Sequence, residues 1–328
     1  MARTLLAIGM LATVAAPPLV AQTRATEIEA VSAQHPPDKT TQTEDVRFRN
    51  DGNERMTVPV RLSGTGPYRF LVDTGSERTA ISRDLAERLN LPSGNAAALH
   101  SIAGVTRVAT ATVPSLQLTR RNVKVVDAPL LDRANMGADG ILGVDSLKSQ
   151  RVQFDFESKT MSIVPSAAPS REVGPDAIVV TANRLNGRLV VTKAAADGHA
   201  LTVVLDTGSE VTIANSALRR RLLGKHPKPM EKVALISVTG EQIMGDYMFI
   251  RELDIGGVQL KHLAVVFADA HAFDKLGLGD RPAMLLGMNA MRAFKRVSID
   301  FGTRKLRVLL PEESHLDVRL ASAAPWRR

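Results

Sequence analysis

The chain has 328 residues, a formal net charge of +8 and no cysteine. That length allows about two domains, and the missing cysteine excludes disulfides, thiol catalysis and cysteine-based metal sites. The seven histidines are scattered without metal-ligand spacing, aromatic residues make up 4% and offer few rings for stacking, and no recognition motif accompanies the positive charge, so neither a metal nor a nucleic acid is expected.

In chain order, Arg3, the apolar run Leu5 to Ala16 and the small-residue exit Leu19-Val20-Ala21 read as an export signal over residues 1–21. Cleavage is expected rather than retention as an anchor, because the run is shorter than the about 20 residues of a span and is broken by Pro17-Pro18. The expected location is periplasmic or secreted. Residues 22–44 are polar and read as a flexible leader. Val46 to Phe48, Asn50-Asp51-Gly52 and Met56 to Leu62 suggest a hairpin. A strand then runs from Arg69 to Val72 and delivers Asp73 to a turn, Asp73-Thr74-Gly75-Ser76-Glu77. Ser82 is placed to cap a short helix that carries Leu85 and Leu89 and ends before Pro92. Ser101-Ile102-Ala103-Gly104 lies between two segments that alternate like strands. Val123 to Val126 is a strand, Ile141-Leu142-Gly143 an apolar pair with glycine, Val144 to Ser149 a short helix, and Arg151 to Phe156 a closing strand.

The series then repeats. Ser166 to Asp176, with Pro169, Gly174 and Pro175, is the expected linker. After it come the run Leu201 to Leu205 and a second turn, Asp206-Thr207-Gly208-Ser209-Glu210, with Thr79 and Thr212 at matching positions. Ser237-Val238-Thr239-Gly240 matches the first glycine turn, Leu260 to Phe267 the strand, and Leu285-Leu286-Gly287 the apolar-glycine segment. Met288 to Phe294 and Arg296 to Phe301 close the copy. The lobes are therefore expected at 45–165 and 177–311, joined by 166–176, with a polar tail at 312–328. Arg219-Arg220-Arg221 with Lys225, Lys228 and Lys232 is the densest basic cluster. Its default reading is a solvated face, and a weak contact with an anionic envelope surface comes second.

Two aspartates delivered by similar halves point to a definite chemistry. Side by side, Asp73 and Asp206 could not both ionise easily and would share a proton. One would act as base on a water and the other as acid on a carbonyl. Gly75 and Gly208 would allow close approach and turn angles closed to other residues. Thr74 and Thr207 would each lend a hydroxyl across the axis, and Ser76 and Ser209 would donate to the carboxylates. Gly104 and Gly240 would sit at the tips of mobile flaps, the alternative being ordinary hairpin turns.

The repeated turns and apolar-glycine segments resemble those of retropepsin-like aspartic proteases, here as two tandem lobes in one chain. The resemblance covers about Val46 to Pro311. It implies an all-β fold with few short helices, and two lobes related by a pseudo-two-fold axis with the site between them. It further implies an endopeptidase acting on protein or peptide, with no cofactor, and a monomer because both lobes lie in one chain. Neither flap carries the tyrosine of pepsin-like enzymes. Glu77 and Glu210 fall where retropepsins carry an acidic residue that contacts substrate main chain. The arginine that pairs with it there is replaced by Val144-Asp145 and Met288-Asn289, so both glutamates could instead serve in structural ion pairs. The alternative from another class is a catalytically silent peptide-binding or scaffolding protein of the same fold.

Overall fold

The computed structural model describes residues 56–311 except 119–120, 149, 169–176 and 225–229, together with Glu27–Glu29, Asp45–Arg47 and Arg49–Asn50. The expected signal, most of the leader and linker, the Lys225 to Pro229 run and the tail lie outside the described residues. The chain is mostly β, with three main sheets, a separate two-stranded hairpin and short helices.

In the first half a seven-stranded sheet runs from Arg49–Asn50 through Met56–Leu62, Thr65–Val72, Gly140–Leu142, Ala80–Ser82 and Arg121–Leu131 to Thr110–Leu118. Thr110–Leu118 pairs back onto Met56–Leu62 and rolls the sheet into a barrel-like lobe. The strands follow from alternation: Val58, Val60 and Leu62 are buried while Pro59 and Arg61 face out, as a pleat with one core face requires. The second half repeats this plan in a nine-stranded sheet, where Ala283–Leu286 lies between His199–Leu205 and Thr212–Ala214. Glu27–Glu29, expected within a flexible leader, instead pairs with the strand Val258–Phe267.

The third sheet belongs to both halves. Its order is Ile178–Thr181, Lys305–Leu309, Arg296–Asp300, Gln150–Asp155, Thr160–Pro165, Asp45–Arg47. At its centre the two closing motifs pair antiparallel with each other, Gln153 opposite Ser298, Arg151 opposite Asp300 and Asp155 opposite Arg296. An approximate two-fold axis therefore passes through this pairing. Asp155 and Asp300 accept backbone N–H groups at the turns that follow them. Asp155 also receives Arg296 Nε at 2.6 Å. The expected hairpin at 46–62 is corrected in part. Arg49–Asn50 does pair with Met56–Thr57, but Asp45–Arg47 crosses to the shared sheet and pairs with Thr160–Ser162. The shared sheet leaves an edge at Thr160–Pro165 that the preceding strand segment fills.

Two helices lie behind the lobes. Arg83–Arg88 is capped by Ser82, whose Oγ accepts from Leu85 N. Ser216–Leu223 carries the arginine run and is capped by Asn215, whose amide also donates to the carbonyls of Leu278, Gly279 and Arg281. Within the basic cluster Asp246 takes both Arg219 (2.9 Å) and Lys232 (2.5 Å), so part of its charge is neutralised. Among the described residues no helix is long and apolar enough to cross a membrane.

Candidate active site

Each aspartate stands at the end of a strand buried on both faces. Phe70 and Val72 point into the main core, which runs through both lobes and the shared sheet, while Leu71 points into a smaller apolar cluster with Ala80, Leu131, Met136 and Ile141. The second copy divides its neighbours in the same way: Val203 and Leu205 face the main core, and Val204 joins a cluster with Ile213, Phe273 and Leu285. The strand is thus clamped on two sides before it releases its aspartate.

The apolar-glycine segments run parallel beside these strands and hold the turns. Asp73 N donates to Leu142 O at 3.0 Å and Asp206 N to Leu286 O at 3.1 Å. Val144 N and Asp145 N reach the carbonyls of Ser76 and Glu77, and Met288 N and Asn289 N reach those of Ser209 and Glu210. A side chain on Gly143 or Gly287 would strike the backbone of Arg78 or Val211. The buried Thr79 and Thr212 each accept from that glycine's N–H, at 3.1 and 3.2 Å. Their hydroxyls donate onward to Asp145 (2.7 Å) and Asn289 (2.8 Å). Those two residues, standing near the place of the family's arginine, serve here to brace the turns.

The turns meet across the axis. Thr74 Oγ1 donates to Leu205 O (2.9 Å) and accepts from Thr207 N (3.1 Å); Thr207 Oγ1 donates to Val72 O (2.6 Å) and accepts from Thr74 N (3.1 Å). Both threonines are 1% exposed, so these four bonds form without competing water. Just above them, a Cβ on Gly75 would lie 2.5 Å from Asp206 Oδ1, and one on Gly208 would strike the Asp73 carboxylate. Each glycine faces the other lobe's aspartate, which makes the two carboxylates neighbours. Neither glycine has a left-handed φ, so what glycine supplies is space. The turn angles expected to require it do not.

Asp73 Oδ1 accepts from Gly75 N (2.8 Å) and Ser76 N (3.0 Å), and Asp206 Oδ1 from Gly208 N (3.1 Å). The serine hydroxyls turn away. Ser76 Oγ donates to Arg78 O and Ser209 Oγ to Val211 O, both at 2.8 Å. The expectation that the hydroxyls donate to the carboxylates is therefore corrected: the main-chain N–H at Ser76 does so, and the hydroxyl closes its own turn. Burial, and next the charge of Asp73, push the Asp206 carboxyl up to about 7, against the opposing pull of Gly208 N–H, Arg188 and Ser209 N–H.

Arg188 was not anticipated. It opens the strand Arg188–Ala196 of the second lobe and crosses the axis to the first turn. There its Nε donates to Gly75 O and its Nη1 meets Glu77 Oε1 at 2.7 Å. Glu77 thus has its arginine from the opposite lobe. Glu210 occupies the matching place, half-buried, its carbonyl accepting from Asn289 N at 2.9 Å. A signal for Arg188 exists in the repeat: Arg55 precedes Asp73 by the interval at which Arg188 precedes Asp206 (55 to 73, 188 to 206). Arg55 itself lies outside the described residues.

The two glycine turns cap hairpins, Ala97–His100 with Val105–Val108, and Glu231–Ile236 with Gln242–Ile255. Gly104 and Gly240 have φ of 150° and 89°, which only glycine adopts readily. Each tip reaches the other lobe. Ile102 packs against the second lobe's Phe273 cluster, and Val238 against the first lobe's Met136 cluster. Ile102 O accepts from His271 N at 2.8 Å, and Gly240 lies against Asn135. The hairpins also touch each other, with Thr106 Oγ1 donating to Glu241 Oε1 at 2.8 Å. The short helices Arg133–Met136 and His271–Lys275 receive these tips.

The model of the family described as aspartyl protease matches residues 58–146 and 192–290, one stretch in each lobe. A search of curated proteins returns no match. The two matched stretches contain both aspartate turns, both hairpins and both apolar-glycine segments, and together they span more than half of the chain. The chain belongs to the retropepsin-like aspartyl protease family, with its two lobes in tandem.

Proposed function

We propose that the protein is an exported endopeptidase in which Asp73 and Asp206 share one proton and together activate a water against a peptide carbonyl. The observation that carries this reading is the mutual approach of the two turns, with each glycine facing the opposite aspartate. Two carboxylates so placed favour a singly protonated pair. Within that pair the ionised group takes a proton from the water, and the protonated group gives its proton to the carbonyl oxygen as the tetrahedral intermediate forms. Transfer of a proton to the amide nitrogen then breaks the C–N bond, and no covalent enzyme intermediate is formed. The main-chain N–H groups at the turns hold Asp73 Oδ1 and Asp206 Oδ1 in fixed orientation. Glu77, Glu210 and the hairpin tips are proposed to flank a peptide lying in extended form.

Export rests on the signal-like residues 1–21, and both lobes in one chain favour a monomer. A weak contact of the basic face with anionic envelope surfaces remains a secondary proposal. Cleavage of a mixed peptide library, with and without a hydroxyl inhibitor that mimics the tetrahedral state, tests the reaction. Inhibitor-sensitive cleavage that is absent in Asp73→Asn supports it. Peptides retained without cleavage would favour the silent binding protein instead. A chelator is expected to leave cleavage unchanged, and loss restored by zinc would overturn the mechanism.

A further inference from the structure

The two hairpin tips land on different chemistry. The second lobe's Gly240 meets Asn135, an uncharged amide. The first lobe's hairpin meets a histidine with a histidine. His100 Nδ1 lies 2.9 Å from His271 Nε2, and the rings meet edge to edge, with centroids 5.1 Å apart and planes 11° from parallel. The same His271 donates its backbone N–H to Ile102 O at 2.8 Å, and Ile102 carries the tip onto the second lobe's apolar cluster. We propose that His100 and His271 form an acid-opened latch that holds the first-lobe hairpin closed over the cleft.

A hydrogen bond between two imidazoles needs one nitrogen as acceptor, so the contact survives at most one added proton. A second proton leaves two donors and two like charges edge to edge, and the contact must part. The groups acting on His100 are His271 and Lys275 on the receiving helix and Glu77 on the first aspartate turn. On its own hairpin, Arg107 stands one cross-strand pair further along the same face. Burial chiefly, then Lys275 and His271, lower the proton affinity of His100 in the closed form, with Glu77 opposing them.

The sign follows from linkage. A histidine whose affinity for protons is lower closed than open stabilises the closed form while it is neutral, and that stabilisation is lost as pH falls through the ordinary histidine range, around 6.5. The contact between the hairpins does not titrate there. Hydrogen bonds from Thr239 and Thr106 hold the Glu241 carboxyl below its usual range, so it stays ionised while His100 changes. The coupling of the latch to catalysis rests on the reading of this cleft as the catalytic one. On that reading the hairpin releases in the range where Asp206, pushed up to about 7, keeps its proton. Entry of substrate and readiness of the pair are then set by the same change in acidity.

The chain has no cysteine, so Ala98→Cys on the hairpin and Arg220→Cys on the helix Ser216–Leu223 can carry the only two spin labels. The expected result is a narrow label distance distribution at about pH 7.5 that broadens and shifts as pH is lowered to about 5. His100→Phe keeps a flat ring without a titrating nitrogen, and His271→Gln keeps a polar partner without a charge. Both are expected to give a distance that does not respond to pH. A pH-independent distance in the parent, or a shift that persists in both variants, overturns the latch. Cleavage measured on the same samples separates the two ideas: a shift without cleavage keeps the latch and sinks the protease reading, and cleavage without a shift sinks the latch alone.

Discussion

At residue scale the proposed chemistry turns on two carboxylates that compete for charge. Asn in place of either Asp73 or Asp206 removes one half of the proton-sharing pair. Each single variant is expected to lose cleavage by at least about a thousandfold, and the double variant to be no worse, because the two act as a unit. Peptide hydrolysis rates for the three variants decide this, and a single variant with most of its activity would sink the two-lobed site. The same substitution should improve the fold. The Asp206 carboxyl is held up to about 7 in the folded chain, so the folded state holds a proton that the unfolded state has already lost above the ordinary carboxylate range. Stability therefore falls as pH rises from about 4 to about 7. Asp206→Asn is expected to raise Tm above pH 7 by a few degrees, and by little at pH 4, in thermal melts. For activity the sign runs the same way. The alkaline limb of the pH profile should fall near 7, as the pair loses its shared proton and with it the acid that assists the carbonyl.

At the scale of elements, the cleft is built by two turns that hold each other. Thr74 and Thr207 exchange four buried bonds, so removing one hydroxyl strands a carbonyl and an N–H from the opposite lobe. Thr74→Val is expected to cost about 2–4 kcal/mol, summing those unsatisfied groups. Thr207→Val should add less on top of it than it costs alone. Denaturant unfolding of the two single variants and the double completes that cycle. Arg188 and Glu77 form a second tie across the axis, with Arg188 also on Gly75 O. The Glu77 carboxylate is 41% exposed, which limits the ion pair itself to a modest contribution. A cycle of Arg188→Met and Glu77→Gln should therefore give a coupling of about 0.5–1 kcal/mol. Arg188→Met alone should lose more than Glu77→Gln alone, because the first turn also loses the bond to its carbonyl.

At the scale of the molecule, the lobes cannot be treated as two beads on a string. Their closing strands pair with each other at the centre of one sheet, and Val152, Phe154, Val297 and Ile299 bury the face beneath it in a core common to both. Arg151 and Arg307 both approach the fully buried Asp300, at 3.9 and 3.7 Å, so the loss of Arg151 leaves the dry carboxylate with one cation in place of two. Arg151→Met is expected to destabilise both lobes together by about 1–3 kcal/mol. Calorimetry should show a single unfolding transition in the parent protein. Two resolved transitions, or a variant that melts only one lobe, would disprove the shared core.

Much of this was legible in the amino-acid sequence, because repetition converts weak local signals into strong ones. Asp-Thr-Gly-Ser-Glu read once is a polar turn; read twice, behind matching apolar runs and before matching apolar-glycine segments, it declares two lobes and a pair of aspartates. Turn chemistry and alternation act over a few residues, so the strands, the Ser82 cap and the glycine tips could be placed from them. What only the tertiary structure decided was the set of contacts between distant residues. The serine hydroxyls had to choose between a carboxylate and a carbonyl two residues on, and the curl of each turn chose the carbonyl. Arg188 reaches Glu77 because the pseudo-two-fold axis carries the start of one lobe's strand to the other lobe's turn, a distance that no local pattern encodes. His100 and His271, scattered in sequence and unremarkable there, become partners only when a hairpin from one half is laid across the helix of the other.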